Sequence, residues 1–251
     1  MARPKVSKGH TRAGGEVLDN LRFDHRGTEI DPAVADRVWR TRSGAPETMT
    51  STARTCCHLI VTRTRGCLLA GLRGPETAAT TAPVPPETEY LGVRFAFGTV
   101  LRTHPASSIV DGYLPLPVTG SGRIVLCGTD WEAPTYENAE QFVGRLRDAG
   151  LLAPSRLHDQ KLSVRTRQRH YRAVTGLSRT AVAQIDRANA AATMLREGHD
   201  WRPVAATLGY FDQAHLAHAL RRYIGRTAGE LRADGGAGLS FLYKTGPGPG
   251  S

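Results

Sequence analysis

Two short stretches of this sequence carry side chains able to read and grip a nucleic acid. Arg165, Gln168, Arg169 and Arg172 fall at i, i+3, i+4 and i+7, which places them on one face of a helix. A guanidinium can hold a guanine edge or a phosphate oxygen, and a glutamine amide matches adenine in the major groove. For Arg165 and Arg172, phosphate contact without base readout is an equal alternative. Further along, Gln213, Ala214, Ala217 and His218 point away from an apolar stripe and are followed by Arg221 and Arg222. Amide and small side chains suit base edges there, and the arginines suit phosphate.

The helices that must position these residues can be read from their caps. Ser163 caps a helix through about Val174, ended by Gly176. Ser178 caps a second, whose stripe is Val182, Ile185, Ala188, Ala192 and Leu195, with Gly198 as its terminator. Asp200 caps a third from Trp201 to Leu208, and Pro203 sits in its first turn, where no intrahelical amide bond is lost. Gly209 then allows a tight turn, and Asp212 starts a fourth helix through about Tyr223. Small Ala205, Gly209 four residues later, and the wedge of Val204, Leu208, Leu216 and Leu220 spell a helix-turn-helix.

The charge agrees with that placement. The 251 residues carry a net +10, from 33 Lys or Arg (29 of them Arg) against 23 acids. Residues 161–232 hold 13 basic residues against 5 acids, residues 1–12 hold four basics and no acid, and residues 13–160 are slightly acidic. Such asymmetry points to a polyanion partner for one half. No apolar run is long enough for a membrane helix, and MARPKVSKGH lacks the apolar stretch of a secretory signal. A cytoplasmic protein with reduced thiols at Cys56, Cys57, Cys67 and Cys127 is expected.

From about 23 to 135 the chain reads as short strands between turns. Cys56–Thr62, Gly66–Ala70, Leu91–Phe97 and Arg123–Cys127 are apolar or β-branched runs, and Ala82–Pro86 and Thr119–Gly122 break them. A small antiparallel barrel or sandwich is expected. Pro115 and Pro117 exclude their segment from a central strand. Phe142, Val143, Leu146, Leu151 and Leu152 approximate helical spacing, giving a helix over roughly 137–150.

Chemistry in this half has several candidates. Cys56, Cys57, His58 and Cys67 are metal-ligand types, but adjacent cysteines fit a tetrahedral zinc site poorly, and buried strand thiols suit the following Leu59-Ile60-Val61 better. His58 and His104 are isolated, without the His-x-His and carboxylate of a metal-dependent barrel enzyme. His215 and His218, at i and i+3, could bind a metal in principle. Trp39, Trp131, Tyr90 and Phe95 could line a small-molecule pocket or simply fill a core.

Gly209-Tyr-Phe-Asp-Gln-Ala-His-Leu216, then Arg221-Arg-Tyr-Ile-Gly-Arg-Thr227 and Glu230-Leu231, resembles the signature of AraC-type (AraC/XylS) transcriptional regulators. Leu162–Arg172 with Thr175–Ser178 resembles that family's first recognition helix and the start of its joining helix, and Leu239–Thr245 resembles a tail of some members. The resemblance covers about 162–232 and implies two helix-turn-helix units joined by a long helix. It places Arg165, Gln168 and Arg169 on the groove face of the first unit and Gln213, Ala214, Ala217 and His218 on that of the second, with His215 structural. One departure is Ala153–Lys161, where the first unit should have a leading helix but the segment is short, proline-broken and lacks the Ala-x-x-x-Gly spacing. The resemblance further implies that the β-rich half is a sensing and dimerising domain of cupin-like form.

The fold expected is therefore α+β: a β-rich (cupin-like barrel or sandwich) N-terminal domain followed by an all-α double helix-turn-helix domain. The division is a basic arm over 1–14, the β-rich domain over 15–135, a linker helix and connector over 136–160, the reader over 161–235 and a tail over 236–251. Arg167, Arg172, Arg179, Arg187, Arg221, Arg222 and Arg226 are the candidate phosphate contacts. The expected partner is double-stranded DNA, with RNA polymerase, a small-molecule effector and a second copy of the chain as further candidates. No catalytic residue, metal or cofactor is expected, and no membrane. The rival reading is a DNA-docked repair, redox or metal-sensing protein that uses Cys56 or Cys57.

Overall fold

The computed structural model describes residues 14–18, 21–28, 32–155, 157, 163–233 and 239–240. The first strands are β1 (Gly14–Leu18), β2 (Leu21–Gly27), β3 (Ala35–Ser43), β4 (Glu47–Ser51), β5 (His58–Thr64) and β6 (Cys67–Arg73). There follow β7 (Thr80–Val84), β8 (Thr88–Phe95), β9 (Thr99–Leu101), β10 (Tyr113–Leu116), β11 (Arg123–Leu126) and β12 (Thr129–Glu132). Helix α1 (Ala139–Asp148) and strand β13 (Leu152–Pro154) end this half. The helices beyond are α2 (Val164–Thr175), α3 (Arg179–Arg196), α4 (Trp201–Leu208), α5 (Gln213–Tyr223) and α6 (Ala228–Ala233), before a short strand β14 (Leu239–Ser240). A β-rich half followed by a helical half is the α+β arrangement expected.

Seven strands pair antiparallel in the order β1-β2-β3-β8-β5-β6-β10. Register explains why one face is apolar. Val38, Val93, Leu59, Leu72 and Leu114 stand opposite one another across five strands, and Leu91, Val61, Ala70 and Leu116 form the next row. With a side-chain period of two, every member of a row faces the same way. Helix α1 shares the core with these rows through Ala139, Phe142, Val143 and Leu146. Full burial of such a side chain is worth roughly 1.5–3 kcal/mol. The segment expected as a linker helix is thus part of the β-rich core, and Trp131 meets Phe142 edge-on at 6.4 Å.

On the opposite face two glycines mark close approaches. Trp39 stands directly across from Gly92, and its indole occupies the space a Cβ there would need. The Tyr113 ring does the same over Gly71. A strand glycine beneath an aromatic ring is a common way to seat a large side chain on a flat sheet.

Smaller pairings complete the half: the β11–β12 hairpin, β13 with β9, and the three-stranded β14-β4-β7. The β11–β12 turn holds Cys127 and Gly128 at φ 57° and 78°, the two positive values of a type I′ hairpin. Pro115 lies in β10, an edge strand, where its missing N–H is tolerated. Cys56 and Cys57 precede β5 rather than lying within it, so these half-buried thiols belong to the connection that leads into that strand. The expected basic arm falls outside the described residues apart from Gly14, which begins β1. Of the expected tail, Leu239 and Ser240 pair in parallel with Thr50 and Ser51 of β4. Among the described residues, no helix is long and apolar enough to cross a membrane.

Candidate nucleic-acid interface

Each helix of the C-terminal half begins where its cap dictates. Ser163 accepts from the Thr166 amide at 3.2 Å, Ser178 from Ala181 at 3.1 Å, Asp200 from Trp201 at 2.8 Å and Asp212 from His215 at 2.7 Å. Gly176 and Gly209 supply the left-handed terminators at φ 77° and 70°. The stripe of α3 is buried as expected, together with Ala191. Val204, Ala205, Leu216 and Leu220 are buried with it in a second core, and Leu208 packs against that core.

The turn between α4 and α5 is fixed from both sides. Gly209 and Tyr210 return backbone hydrogen bonds to Ala205. Buried Tyr210 receives Arg187 over its ring at 4.6 Å and meets the His215 ring edge-on at 5.1 Å. Nδ1 of His215 in turn accepts from the Phe211 amide at 3.3 Å.

Apart from Val164 and Phe211, what α2 and α5 turn outward is polar, small or basic. Arg165, Gln168, Arg169 and Arg172 are exposed along α2, as are Gln213, Ala214 and His218 on α5, with Ala217 half-buried. Arg221 and Arg222 are exposed in the last turn of α5, where cations complement the helix dipole. Arg179 is exposed and stands over the Tyr171 ring at 4.9 Å, while Arg167 and Arg226 are half-buried. The segment expected to lead the first unit is strand β13 at Leu152–Pro154, and residues 158–162 lie outside the described residues.

Two further features lie beyond the four capped helices. Helix α6 starts on a reciprocal cap, in which the Thr227 amide donates to Glu230 at 2.6 Å and the Glu230 amide to Thr227 Oγ1 at 3.2 Å. Hydrogen bonds from the Thr227 amide first, and then its side chain, hold the Glu230 carboxyl below its usual range. Leu231 of this helix is buried in the second core. Phe211 is 92% exposed at the start of α5.

The β-rich half also grips both outward helices near their C-terminal ends. The C-terminal carbonyls of α5 accept from Ala53 (to Tyr223 O, 2.7 Å) and Ala79 (to Arg222 O, 2.8 Å). The Asn189 amide of α3 donates to Ala53 O at 3.3 Å. Helix α2 packs on the Ala106–Ser108 3-10 turn and on β9, with Phe97 and Tyr171 rings 6.0 Å apart.

The two loops that grip α5 are tied together by a buried charge. Glu76, 1% exposed, accepts from Arg73 at 2.6 Å, Ser51 at 3.1 Å and Thr80 at 3.3 Å. Arg54 pairs with Glu76 through both backbone groups and lies 3.7 Å from its carboxylate. Burial pulls the Arg54 guanidinium down to about 10 despite that carboxylate.

The thiol and metal candidates look different. Burial pushes Cys56 up to about 11 and Cys57 up to about 12, which keeps both protonated and weakly nucleophilic. His58 is buried, and burial together with Arg54, Arg94, Arg73 and Arg37 holds it well below the usual imidazole range. Among the described residues, no three His, Cys, Asp or Glu side chains converge as a metal ion requires.

Residues 159–234 match a protein-family model described as a helix-turn-helix domain. No curated protein and no solved structure matches the chain. Capped helices, a fixed turn and a basic outward face agree with that match: the matched segment is a helix-turn-helix domain of the AraC type, a DNA-binding module.

Proposed function

We propose that α2 and α5 are two recognition helices that enter successive major grooves on one face of a duplex, with α3 joining them. Arg165, Gln168 and Arg169 face bases from the first, and Gln213, Ala214, Ala217 and His218 from the second. Arg167, Arg172, Arg179, Arg221, Arg222 and Arg226 hold phosphates. The observation that carries the reading is on α5, which buries Leu216, Ala219, Leu220 and Tyr223 and turns Gln213, Ala214 and His218 outward, while α2 buries Tyr171 and Thr175 and exposes Arg165, Gln168, Arg169 and Arg172. Six phosphate contacts would give a log–log salt slope of about −5.

On this reading the β-rich residues 15–135 form a sensing and dimerising unit, a small molecule is the effector, and RNA polymerase is the second macromolecular partner. The protein acts in the cytoplasm and performs no catalysis of its own. High thiol pKa values at Cys56 and Cys57 run against the repair or redox alternative.

The test is selection of bound duplexes from a randomised library by the full chain, repeated with the Gln213→Ala/His218→Ala variant. The variant is expected to lose site preference, by about 1–3 kcal/mol for the glutamine contact, while keeping salt-sensitive nonspecific binding. Full retention of the selected sequence by the variant overturns the groove-face assignment.

A further inference from the structure

Helices α2 and α5 share an arrangement that the polar readout does not use. Each begins with an apolar side chain held out in water: Val164, first residue of α2, is 63% exposed, and Phe211, just before the Asp212 cap of α5, is 92% exposed. Near the other end each helix is held by the β-rich half. Gly176, which ends α2, lies so close to Val110 and the Ala106 carbonyl that a Cβ would sit 2.7 and 3.0 Å from them. The last carbonyls of α5 are bonded to Ala53 and Ala79. The C-terminal ends are therefore anchored, and the N-terminal ends are presented.

Phe211 is not outward by default. Its neighbour Tyr210 is buried, and its own amide is fixed by the His215 ring at 3.3 Å. With the backbone held in this way the ring stands in solvent, and Gln213 and Ala214 of the same segment are exposed with it. A ring of this size in water loses contact free energy unless something covers it. The helical half that carries the ring is strongly basic, with 13 Lys or Arg against 5 acids over residues 161–232, so the complementary cover is a polyanion.

The N-terminal residues of a helix docked in the major groove approach the base edges, and the apolar group that duplex DNA offers there is the thymine 5-methyl. We propose that Phe211 packs on a thymine methyl group and that Val164 does the same at the other helix, making each a specificity-determining residue. The inference rests on α2 and α5 being groove-reading helices. It adds a base, thymine, and a physical reason for it that Gln213 and His218 do not supply. With two helices on successive grooves, the two thymines are separated by about one helical turn.

The experiment starts from the duplex selected by the full-length protein. Each thymine is replaced singly by deoxyuridine, which removes the methyl group and leaves the Watson–Crick face intact, and binding is measured for the wild-type, Phe211→Ala and Val164→Ala chains. Burial of one methyl predicts that uridine at the contacted position weakens the wild type about fourfold. The same uridine is expected to have no further effect on Phe211→Ala, and a second position is expected to behave likewise for Val164→Ala. Both residues are exposed, so the alanine chains are expected to fold as the wild type.

Equal uridine losses in wild-type and alanine chains overturn this proposal while leaving the helix assignment standing. A Phe211→Ala chain that binds the selected duplex as the wild type does also overturns it, and would give the ring to a protein partner. If no sequence is enriched at all, the groove-reading helices fail and this inference fails with them.

Discussion

The amide of Ala53, in a loop of the β-rich half, donates to the carbonyl oxygen of Tyr223 across 2.7 Å. Tyr223 is the last residue of α5, and the final carbonyls of a helix have no intrahelical partner. The helix that presents Gln213 and His218 at one end is therefore completed at the other by a part of the chain far away in sequence. Ala79, bonded to Arg222, makes the second such cap. Glu76 fastens the Ala53 and Ala79 loops to each other through Ser51, Arg54, Arg73 and Thr80.

Gly225 is where that contact is most sensitive. Its φ is +76°, and a Cβ there would lie 2.8 Å from Thr50 Cγ2 and 3.1 Å from Ala79 Cβ. Gly225→Ala is expected to lower stability by about 1–2 kcal/mol from backbone strain alone, before any push against the loops. Urea denaturation of the full chain checks this. A midpoint at or above that of the wild type would contradict both the left-handed backbone and the close approach at Gly225.

Arg221 and Arg222 are exposed in the last turn of α5 and assigned to phosphate. The double variant Arg221→Ala/Arg222→Ala is expected to reduce the magnitude of the salt slope by about 2, with its preferred sequence unchanged. Retardation assays over a salt series measure the slope. An unchanged slope would remove both arginines from the phosphate set.

The thiols give a pH prediction with a definite sign. An unfolded chain releases the protons of Cys56 and Cys57 near the ordinary value of 9.0, whereas the folded chain keeps them up to about 11 and 12. Over that window the unfolded state binds fewer protons, so stability present below pH 9 declines as pH rises toward the folded values. The Cys56→Ala/Cys57→Ala chain is expected to show a shallower alkaline decline in the urea midpoint than the wild type. In native protein a thiol reagent is expected to label exposed Cys67 faster than half-buried Cys56 and Cys57. Labelling of Cys57 as fast as Cys67 in folded protein would overturn that order.

The helical half was legible because its punctuation is local. Ser163, Ser178, Asp200 and Asp212 each sit next to the amides they cap, and Gly176 and Gly209 each end a helix within one residue. Helix α6 was missed for lack of length: six residues show no apolar period, although Thr227 and Glu230 have the reciprocal capping spacing. Strand β3 was missed for another reason. Arg40 and Arg42 share the face of Val38 and pair with Asp24 on β2 and Glu89 on β8, and a strand whose charges are neutralised by distant partners does not look apolar beforehand. The grip on α5 was beyond reach altogether, since the backbone amides of Ala53 and Ala79 leave no side-chain signature.

The parallel pairing of Leu239–Ser240 with β4, and the caps that Ala53 and Ala79 place on α5, bear on modular engineering of this chain. Helices of this kind are often treated as cassettes that can be cut at a linker and fused to another input unit. Here a cut at residue 160 would strip α5 of its C-terminal hydrogen-bond donors, and a transplanted reader would begin life with a frayed end. A working chimaera would have to carry residues 50–55 and 74–80 as a cradle, or replace their two amides by a self-contained helix cap.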